Sequence, residues 1–280
     1  MTTYNNLIST LSQYHISSPR LEARLLLAHI LNISSDDAKI LTITLSEEQQ
    51  VHLQQLVHKR TIEHFPLDKI LGIKGFYKYE FYVNEDVLSP RPDTEILVEQ
   101  AVKLNHNQIS HILDLGTGSG CILLSLLKEN PQSMGVGIDT SPLALQVAQK
   151  NSISLGVDNR VKFINANWFD DDFISNFKQK FDIIVTNPPY IPDADIPTLD
   201  NEVKNHDPYL ALSGGADGYD SYRRIAELSS FLLQDEGYIL LEGGIGQADT
   251  IAQLFINKGF KLEKIVKDLS GIERCIILKK

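Results

Sequence analysis

From about residue 93 to its end the chain alternates short apolar runs with longer amphipathic ones, and that rhythm restricts its fold more than any other feature. Residues 112–115, 134–139, 161–166, 181–186 and 238–241 read as strands, and 262–266 and 275–278 add two more. Between them, 119–129, 142–155 and 222–233 read as helices, and Pro92-Asp93-Thr94-Glu95 opens another that runs to Leu104. Strands that are apolar along their whole length have no face to give to water. They require helices on both sides, which implies an α/β fold with a mostly parallel sheet.

The first third of the chain has a different character. Ser18 before Pro19 reads as an N-cap and first helical position, opening an apolar run from Leu21 to Leu31. Ser46 with Gln49 three residues on matches a capping box, with Glu47 and Glu48 well placed against the helix dipole. Residues 73–83, rich in aromatic and β-branched side chains, predict a short hairpin joining this helical piece to the sheet. The expected organisation is a helical domain over 1–72, a hairpin linker over 73–90 and an α/β domain over 91–280. The longest stretch without a period, 191–217, is long for a loop and reads as an irregular lid or substrate element.

Charge, cysteine and hydropathy exclude several classes of function. Residues 1–75 carry seven basic side chains (Arg20, Arg24, Lys39, Lys59, Arg60, Lys69, Lys74) against seven acidic ones (Glu22, Asp36, Asp37, Glu47, Glu48, Glu63, Asp68). The formal charge of −10 therefore falls wholly on 76–280, so long-range attraction to nucleic acid is not expected to drive binding. No run of about 18 apolar residues suits a membrane span, and Met1-Thr2-Thr3-Tyr4 lacks the basic-then-apolar order of a secretory signal. Cys121 and Cys275 both sit in apolar runs and read as buried thiols of a reducing, cytoplasmic setting. His52 and His58 lie six apart with no acidic or cysteine partner, so no metal site is expected. The chain is expected to be a monomer, because no exposed apolar stripe is readable.

Asp114-Leu115-Gly116-Thr117-Gly118-Ser119-Gly120 leaves the first strand of the α/β region and enters a helix. A chain that turns sharply and lets a ligand approach its backbone needs glycine there, since a Cβ obstructs both. The spacing differs from the G-x-G-x-x-G of a dinucleotide fingerprint, and a tight turn without a ligand is the plainer alternative. Asp139, at the end of the second strand and 25 residues after Asp114, could accept both hydroxyls of a ribose. It could equally cap the helix that begins near Pro142, and the two roles are compatible.

These residues together resemble the class I S-adenosylmethionine-dependent methyltransferases. The resemblance implies a Rossmann-like, seven-stranded, mostly parallel sheet. In that family the loop Gly116, Thr117, Gly118, Ser119, Gly120 packs against the methionine part of the cofactor, and Asp139 binds ribose. Residues after the third strand flank adenine, which points to Asn167 and Trp168. The family commonly has an acid at the position of Asn167; an asparagine can accept from the adenine amino group through its amide oxygen. Trp168, the sole tryptophan, could also be a core residue beside Phe169.

Asn187-Pro188-Pro189-Tyr190 follows the fourth strand, at the carboxyl edge where open α/β sheets bind ligands. The chemistry it suits is methylation of a planar nitrogen, whose lone pair is withdrawn into a π system. Two acceptors on its N–H bonds would hold it in line with the methyl group and favour the growing positive charge. The Asn187 side-chain oxygen is one, and the Pro188 carbonyl, in a turn stiffened by Pro189, is the other. Tyr190 offers a flat face for an amide or a base. Asn187 also borders the cofactor in this arrangement. The plainer alternative is a Pro-Pro turn with Tyr190 as packing.

The same tetrapeptide occurs in enzymes that methylate adenine amines in nucleic acid and in enzymes that methylate protein glutamine. Here Arg91-Pro92-Asp93-Thr94-Glu95 is similar to the Arg-Pro-x-Thr-Glu signature of the protein-(glutamine-N5) methyltransferases. So are Asn201-Glu202-Val203, His206-Asp207-Pro208, Ala211-Leu212, Gly214-Gly215, Asp217-Gly218 and Leu241-Glu242; Ser89, where an aliphatic residue is common, departs. The resemblance is nearest to the members that act on peptide chain release factors. It implies methylation of the glutamine of their Gly-Gly-Gln loop, with the helical domain helping to grip the release factor. Arg91 and Glu242 each keep two readings: Arg91 as a shaper of the cofactor or substrate entrance or as a surface arginine between two prolines, and Glu242 as a group at the floor of the site or as an ordinary charge leaving a strand. A glutamine on a ribosomal protein, an adenine amine in nucleic acid, and a non-catalytic docking role are the competing functions.

Overall fold

The computed structural model describes residues 3–39, 44–104 and 110–280; Met1 and Thr2, part of the N-terminal stretch read above, lie outside them. The chain divides into two compact units, one of Met1–Ile73 with Asn201–His206, the other of Lys74–Asp200 with Asp207–Lys280.

The first unit holds helices α1 (Thr3–Gln13), α2 (Pro19–Leu31), α3 (Glu47–Thr61) and α4 (Leu67–Leu71), joined by the distant helix α8 (Asn201–His206). Its core is the apolar stripe of α1 to α3: Leu7, Leu11, Leu26, Leu27, Leu53 and Leu56 are buried together. The α3 capping box forms in full, with the Ser46 hydroxyl accepting from Gln49 N and the Gln49 side chain accepting from Ser46 N. Beneath the stripe lies an ion pair that charge counting does not foresee. Arg60 on α3 donates to both carboxylate oxygens of Glu22 on α2, at 2.7 and 2.9 Å, and to Glu202 on α8 at 2.7 Å. Arg60 and Glu22 are only 6% and 7% exposed. Lys69 and His206 tie α8 further, Lys69 Nζ donating to His206 O at 2.6 Å and the His206 ring meeting Phe65 edge-on.

The second unit starts within the hairpin of β1 (Ile73–Phe76) and β2 (Tyr79–Tyr82), at Lys74. Phe76 and Phe81 bury there, and Asn151 clamps the hairpin by accepting from Tyr82 N and donating to Tyr82 O. A 3-10 turn over Pro92–Thr94 then leads into α5 (Glu95–Leu104). The sheet is built from β3 (His111–Leu115), β4 (Met134–Asp139), β5 (Val161–Asn165), β6 (Phe181–Thr186), β7 (Leu233–Glu242), β8 (Lys261–Lys267) and β9 (Glu273–Lys279). Its order is β5-β4-β3-β6-β7-β9-β8, parallel except where β9 pairs with β7 and β8. Helices α6 (Cys121–Glu129), α7 (Pro142–Ser154), α10 (Asp220–Leu232) and α11 (Ala248–Ile256) cover it, and the short α9 (Tyr209–Leu212) precedes α10.

Both faces of the sheet are buried, and the two-residue period of the strands sorts the side chains between them. Ile112, Ile183, Val185 and Leu240 pack with α5 and α6, while Leu113, Leu115, Ile184, Ile239 and Leu241 pack with α10 and α11. The α/β expectation with a mostly parallel seven-stranded sheet holds. The stretch 191–217 is not irregular throughout, contrary to what its lack of a period suggests. It contains a 3-10 turn at Ile196–Thr198 and the helices α8 and α9, elements too short for a hydrophobic period to announce them.

Candidate active site

The turn after β3 is shaped by three glycines with positive φ, at +76° (Gly116), +53° (Gly118) and +80° (Gly120). It is sewn to β4, since Gly116 N and Thr117 N both donate to Ile138 O, at 2.9 and 2.8 Å. Asp114 is fully buried and its Oδ2 accepts from the Thr117 hydroxyl at 2.7 Å. Burial raises its carboxyl to about 7 despite that bond, with the nearby Asp139 charge adding to the rise. Asp139 Oδ2 accepts from Gly118 N and its Oδ1 from Ser141 N, each at 2.9 Å. The α7 cap is Ser141, whose hydroxyl accepts from Ala144 N. Asp139 thus fixes both the loop and the cap, and each oxygen keeps a lone pair for a ligand. Ser119 contributes its carbonyl to Asn151 Nδ2 at 2.9 Å.

Trp168 forms the wall above this turn, its ring 3.4 Å from where a Cβ on Gly116 would lie, while a Cβ on Gly118 would meet nothing within 4 Å. The indole also packs on the main core, and its buried Nε1 has no hydrogen-bond partner among the described residues. Asn167 spends its amide oxygen on Phe169 N at 3.0 Å, a local turn that leaves that oxygen one lone pair.

Asn187-Pro188-Pro189-Tyr190 leaves β6 beside this turn, with Thr186 Oγ1 donating to Leu115 O at 2.7 Å to join the two strand ends. Asn187 Nδ2 donates to Thr94 Oγ1 at 3.2 Å. Among the described residues no donor reaches Asn187 Oδ1 or the Pro188 carbonyl. Tyr190 is held by its backbone, since Gln247 Nε2 donates to its carbonyl at 3.1 Å. A Cβ on Gly214 would stand 2.8 Å from Tyr190 Cα, and one on Gly218 would stand 2.5 Å from Tyr190 O. Those close approaches explain why glycine occupies both positions. The phenol is pushed up to about 12 by burial first and the Glu242 charge second.

Glu242, the last residue of β7, lies beside Asn187 in register at 2% exposure, a buried carboxylate. Burial raises its carboxyl to about 7, while the neighbouring Thr94 and Asn187 polar groups and the charge of Arg274 pull the other way. Its Oε2 has no hydrogen-bond partner among the described residues. Arg274 donates to Asp268 at 3.2 Å and to Gly243 O at 3.1 Å, and pairs with Asp93 at 3.7 Å. Arg91 donates to the buried Asp207 at 2.8 Å, so it anchors the chain after His206. A cavity lined by His111, Met134, Arg160, Lys162 and Phe181 sits at the opposite, amino-terminal edge of the strands, away from these groups.

Comparison with known proteins agrees with this geometry. A methyltransferase-domain model matches residues 106–242, and a PrmC N-terminal domain model matches residues 3–72. The release factor glutamine methyltransferase of Rhodospirillum rubrum is 42% identical over 270 residues, covering 95% of this chain and 80% of that one. The chain belongs to the release factor glutamine methyltransferase family. A bifunctional methyltransferase of Rickettsia felis is 37% identical over 95% of this chain, which spans 55% of that longer protein. Among solved structures, the hMettl16 catalytic domain in complex with MAT2A 3'UTR hairpin 6 superposes with a TM-score of 0.58. It covers 90% of this chain and 91% of its own at 13% identity, a likeness of fold.

S-adenosylmethionine is the cofactor of this methyltransferase, and the residues present suit it. The turn leaves open space at Gly118, beside an aromatic wall with a spare N–H donor and a carboxylate with spare lone pairs. Sequence reasoning named the loop, Asp139, Trp168 and the tetrapeptide, which follow the carboxyl ends of β3, β4, β5 and β6. It passed over Thr94 as an actor, reading it as one letter of a signature. It also had no means of seeing Gln247, which lies 57 residues from the carbonyl that it holds.

Proposed function

We propose that this chain transfers a methyl group from S-adenosylmethionine to the side-chain amide nitrogen of the glutamine in the Gly-Gly-Gln loop of peptide chain release factors. The observation that carries the reading is the pair of uncommitted acceptors, Asn187 Oδ1 and the Pro188 carbonyl, next to the glycine turn in a chain of this family. Gly116, Thr117, Gly118, Ser119 and Gly120 would cradle the methionine part of the cofactor, Asp139 the ribose, and Asn167 and Trp168 the adenine. When bound, the cofactor supplies an electrophilic methyl on a positively charged sulfur.

The residues of the chain do the rest by positioning. Asn187 Oδ1 and the Pro188 carbonyl would each accept one N–H of the glutamine amide, turning its nitrogen toward the methyl carbon. The positive charge that methylation would place on the nitrogen would strengthen its hydrogen bonds to both acceptors. The charged nitrogen then sheds one proton to water, so no strong base is needed. Pro189 stiffens the turn, and the Tyr190 ring lies against the planar amide. Release factors are then the protein partner and the cytoplasm is the place of action, with the chain working as a monomer and without nucleic acid.

The test is incubation of the full chain and labelled S-adenosylmethionine with purified class 1 release factor, ribosomal protein and DNA, each alone. Label should enter the release factor at its Gly-Gly-Gln glutamine, and Asn187→Ala should abolish transfer while still binding the cofactor. Label on DNA or ribosomal protein alone would refute the substrate. Near wild-type turnover by Asn187→Ala would refute the acceptor pair.

A further inference from the structure

An asparagine amide has two ends of nearly equal shape and opposite chemistry, so something must decide which end of Asn187 faces the substrate. Its Nδ2 end donates to Thr94 Oγ1 at 3.2 Å, and Thr94 is itself only 3% exposed. A hydroxyl that accepts one hydrogen bond has its own proton to give, and the buried Glu242 carboxylate, next to Asn187 where β6 and β7 end in register and with its Oε2 unpartnered among the described residues, is the neighbouring acceptor for it. An ionised carboxylate only accepts. With Thr94 Oγ1 accepting and Glu242 behind both groups, the NH2 end of Asn187 is the end that satisfies the protein. The carbonyl end is left for a ligand, and no described donor competes for it.

We infer that Thr94 and Glu242 are positioning residues for methyl transfer, locking the Asn187 amide with Oδ1 toward the substrate. The inference rests on the proposed reading, in which Oδ1 is an acceptor for the glutamine amide. It gives a physical task to two features that the proposed reaction leaves idle, the threonine of the Arg91–Glu95 signature and a carboxylate buried without a full set of partners. A mispointed Asn187 would present N–H to N–H, so methyl transfer should suffer far more than cofactor binding.

The lock also predicts a response to pH. Protonation weakens Glu242 as an acceptor and frees the Thr94 proton to turn toward Asn187 Oδ1, so the orientation loosens as pH falls through about 7. Other groups that act on Glu242, or on which it acts, are Asp93, Arg274, Tyr190, Tyr222, Cys121 and Cys275. Burial drives both tyrosines and both thiols upward, so they stay neutral there. Asp114 also titrates near 7 but stands on the glycine-turn side, and it is untouched by a change at Glu242.

The experiment compares Glu242→Gln, Thr94→Val and Thr94→Ser in the full chain with saturating S-adenosylmethionine and release factor. Glu242→Gln and Thr94→Val should lose roughly 10- to 100-fold in kcat, the scale of a misplaced group, with the cofactor Kd by calorimetry held within about twofold. Thr94→Ser, which keeps the hydroxyl, should recover most of the rate. The acid limb of kcat should be present in the wild type and in Thr94→Ser and absent in Glu242→Gln. Wild-type kcat with the same limb in Glu242→Gln would overturn the inference, as would equal rates for Thr94→Val and Thr94→Ser. If Asn187→Ala is inactive in either case, the acceptor pair itself still stands.

Discussion

Arg60→Met should unfasten the first unit while leaving the second intact. Methionine fills similar space but carries no charge, so the substitution strips Glu22 of its two hydrogen bonds, at 2.7 and 2.9 Å. With a side-chain exposure of 9%, the Glu22 carboxylate cannot recover those bonds from water. Leaving one member of a buried pair unpaired costs about 3–5 kcal/mol. Glu202, at 44% side-chain exposure, rehydrates readily, so its lost contact adds less than about 1 kcal/mol. A typical domain is stable by only about 5–15 kcal/mol, so the loss falls heavily on a unit of a few short helices. Two probes separate the units, because Trp168 is the sole tryptophan and belongs to the second. Urea unfolding followed by far-ultraviolet circular dichroism should show an early helical transition in Arg60→Met, while the Trp168 fluorescence midpoint stays in place. Replacing both partners, as in Arg60→Met with Glu22→Leu, should recover most of the stability, since a buried pair exchanged for apolar groups is often neutral. A loss below about 1 kcal/mol in the single variant, or a double variant no better than the single, would refute the account.

Gly118→Ala meets no steric obstacle within 4 Å but forces a φ of +53° on an L residue, worth about 1–2 kcal/mol. Its Cβ would enter the space proposed for the cofactor, so calorimetry should show S-adenosylmethionine binding weakened by roughly tenfold or more, a loss of about 1.4 kcal/mol; unchanged affinity would move the cofactor elsewhere. Asp114 and Glu242 have folded values of about 7 against ordinary values of 3.8 and 4.5. Because both are raised, the folded state holds protons that the unfolded chain has released, and stability from this source is full at low pH and lost as pH climbs through about 7. The Trp168-reported midpoint of the cofactor-free protein should therefore fall from about pH 6 to about pH 8, and the fall should shrink in Asp114→Asn; an unchanged slope would contradict it.

Local chemistry was legible in the sequence and long-range chemistry was not. The glycine turn, the capping box at Ser46 and the strand rhythm each declare themselves within a few residues, because backbone sterics and side-chain alternation act at that range. Thr94, Asn187 and Glu242 are far apart in sequence and meet only because the 3-10 turn before α5, β6 and β7 converge at one sheet edge. Arg60 and Glu22 entered only as two of the fourteen charges counted in residues 1–75, since nothing in a linear count marks which ions are dry. The helices within 191–217 escaped because four to six residues cannot display a repeat.

Helix α8 has a bearing on how members of the family can be recombined. The match to the N-terminal domain model ends at residue 72, and a cut there looks like a clean junction. It would strand Arg60 without Glu202 and Lys69 without the His206 carbonyl, because both come from a segment more than a hundred residues downstream. A chimera that swaps the helical unit between relatives should therefore carry residues 201–206 with it, as a second graft, if the transplanted unit is to keep the contacts of its parent.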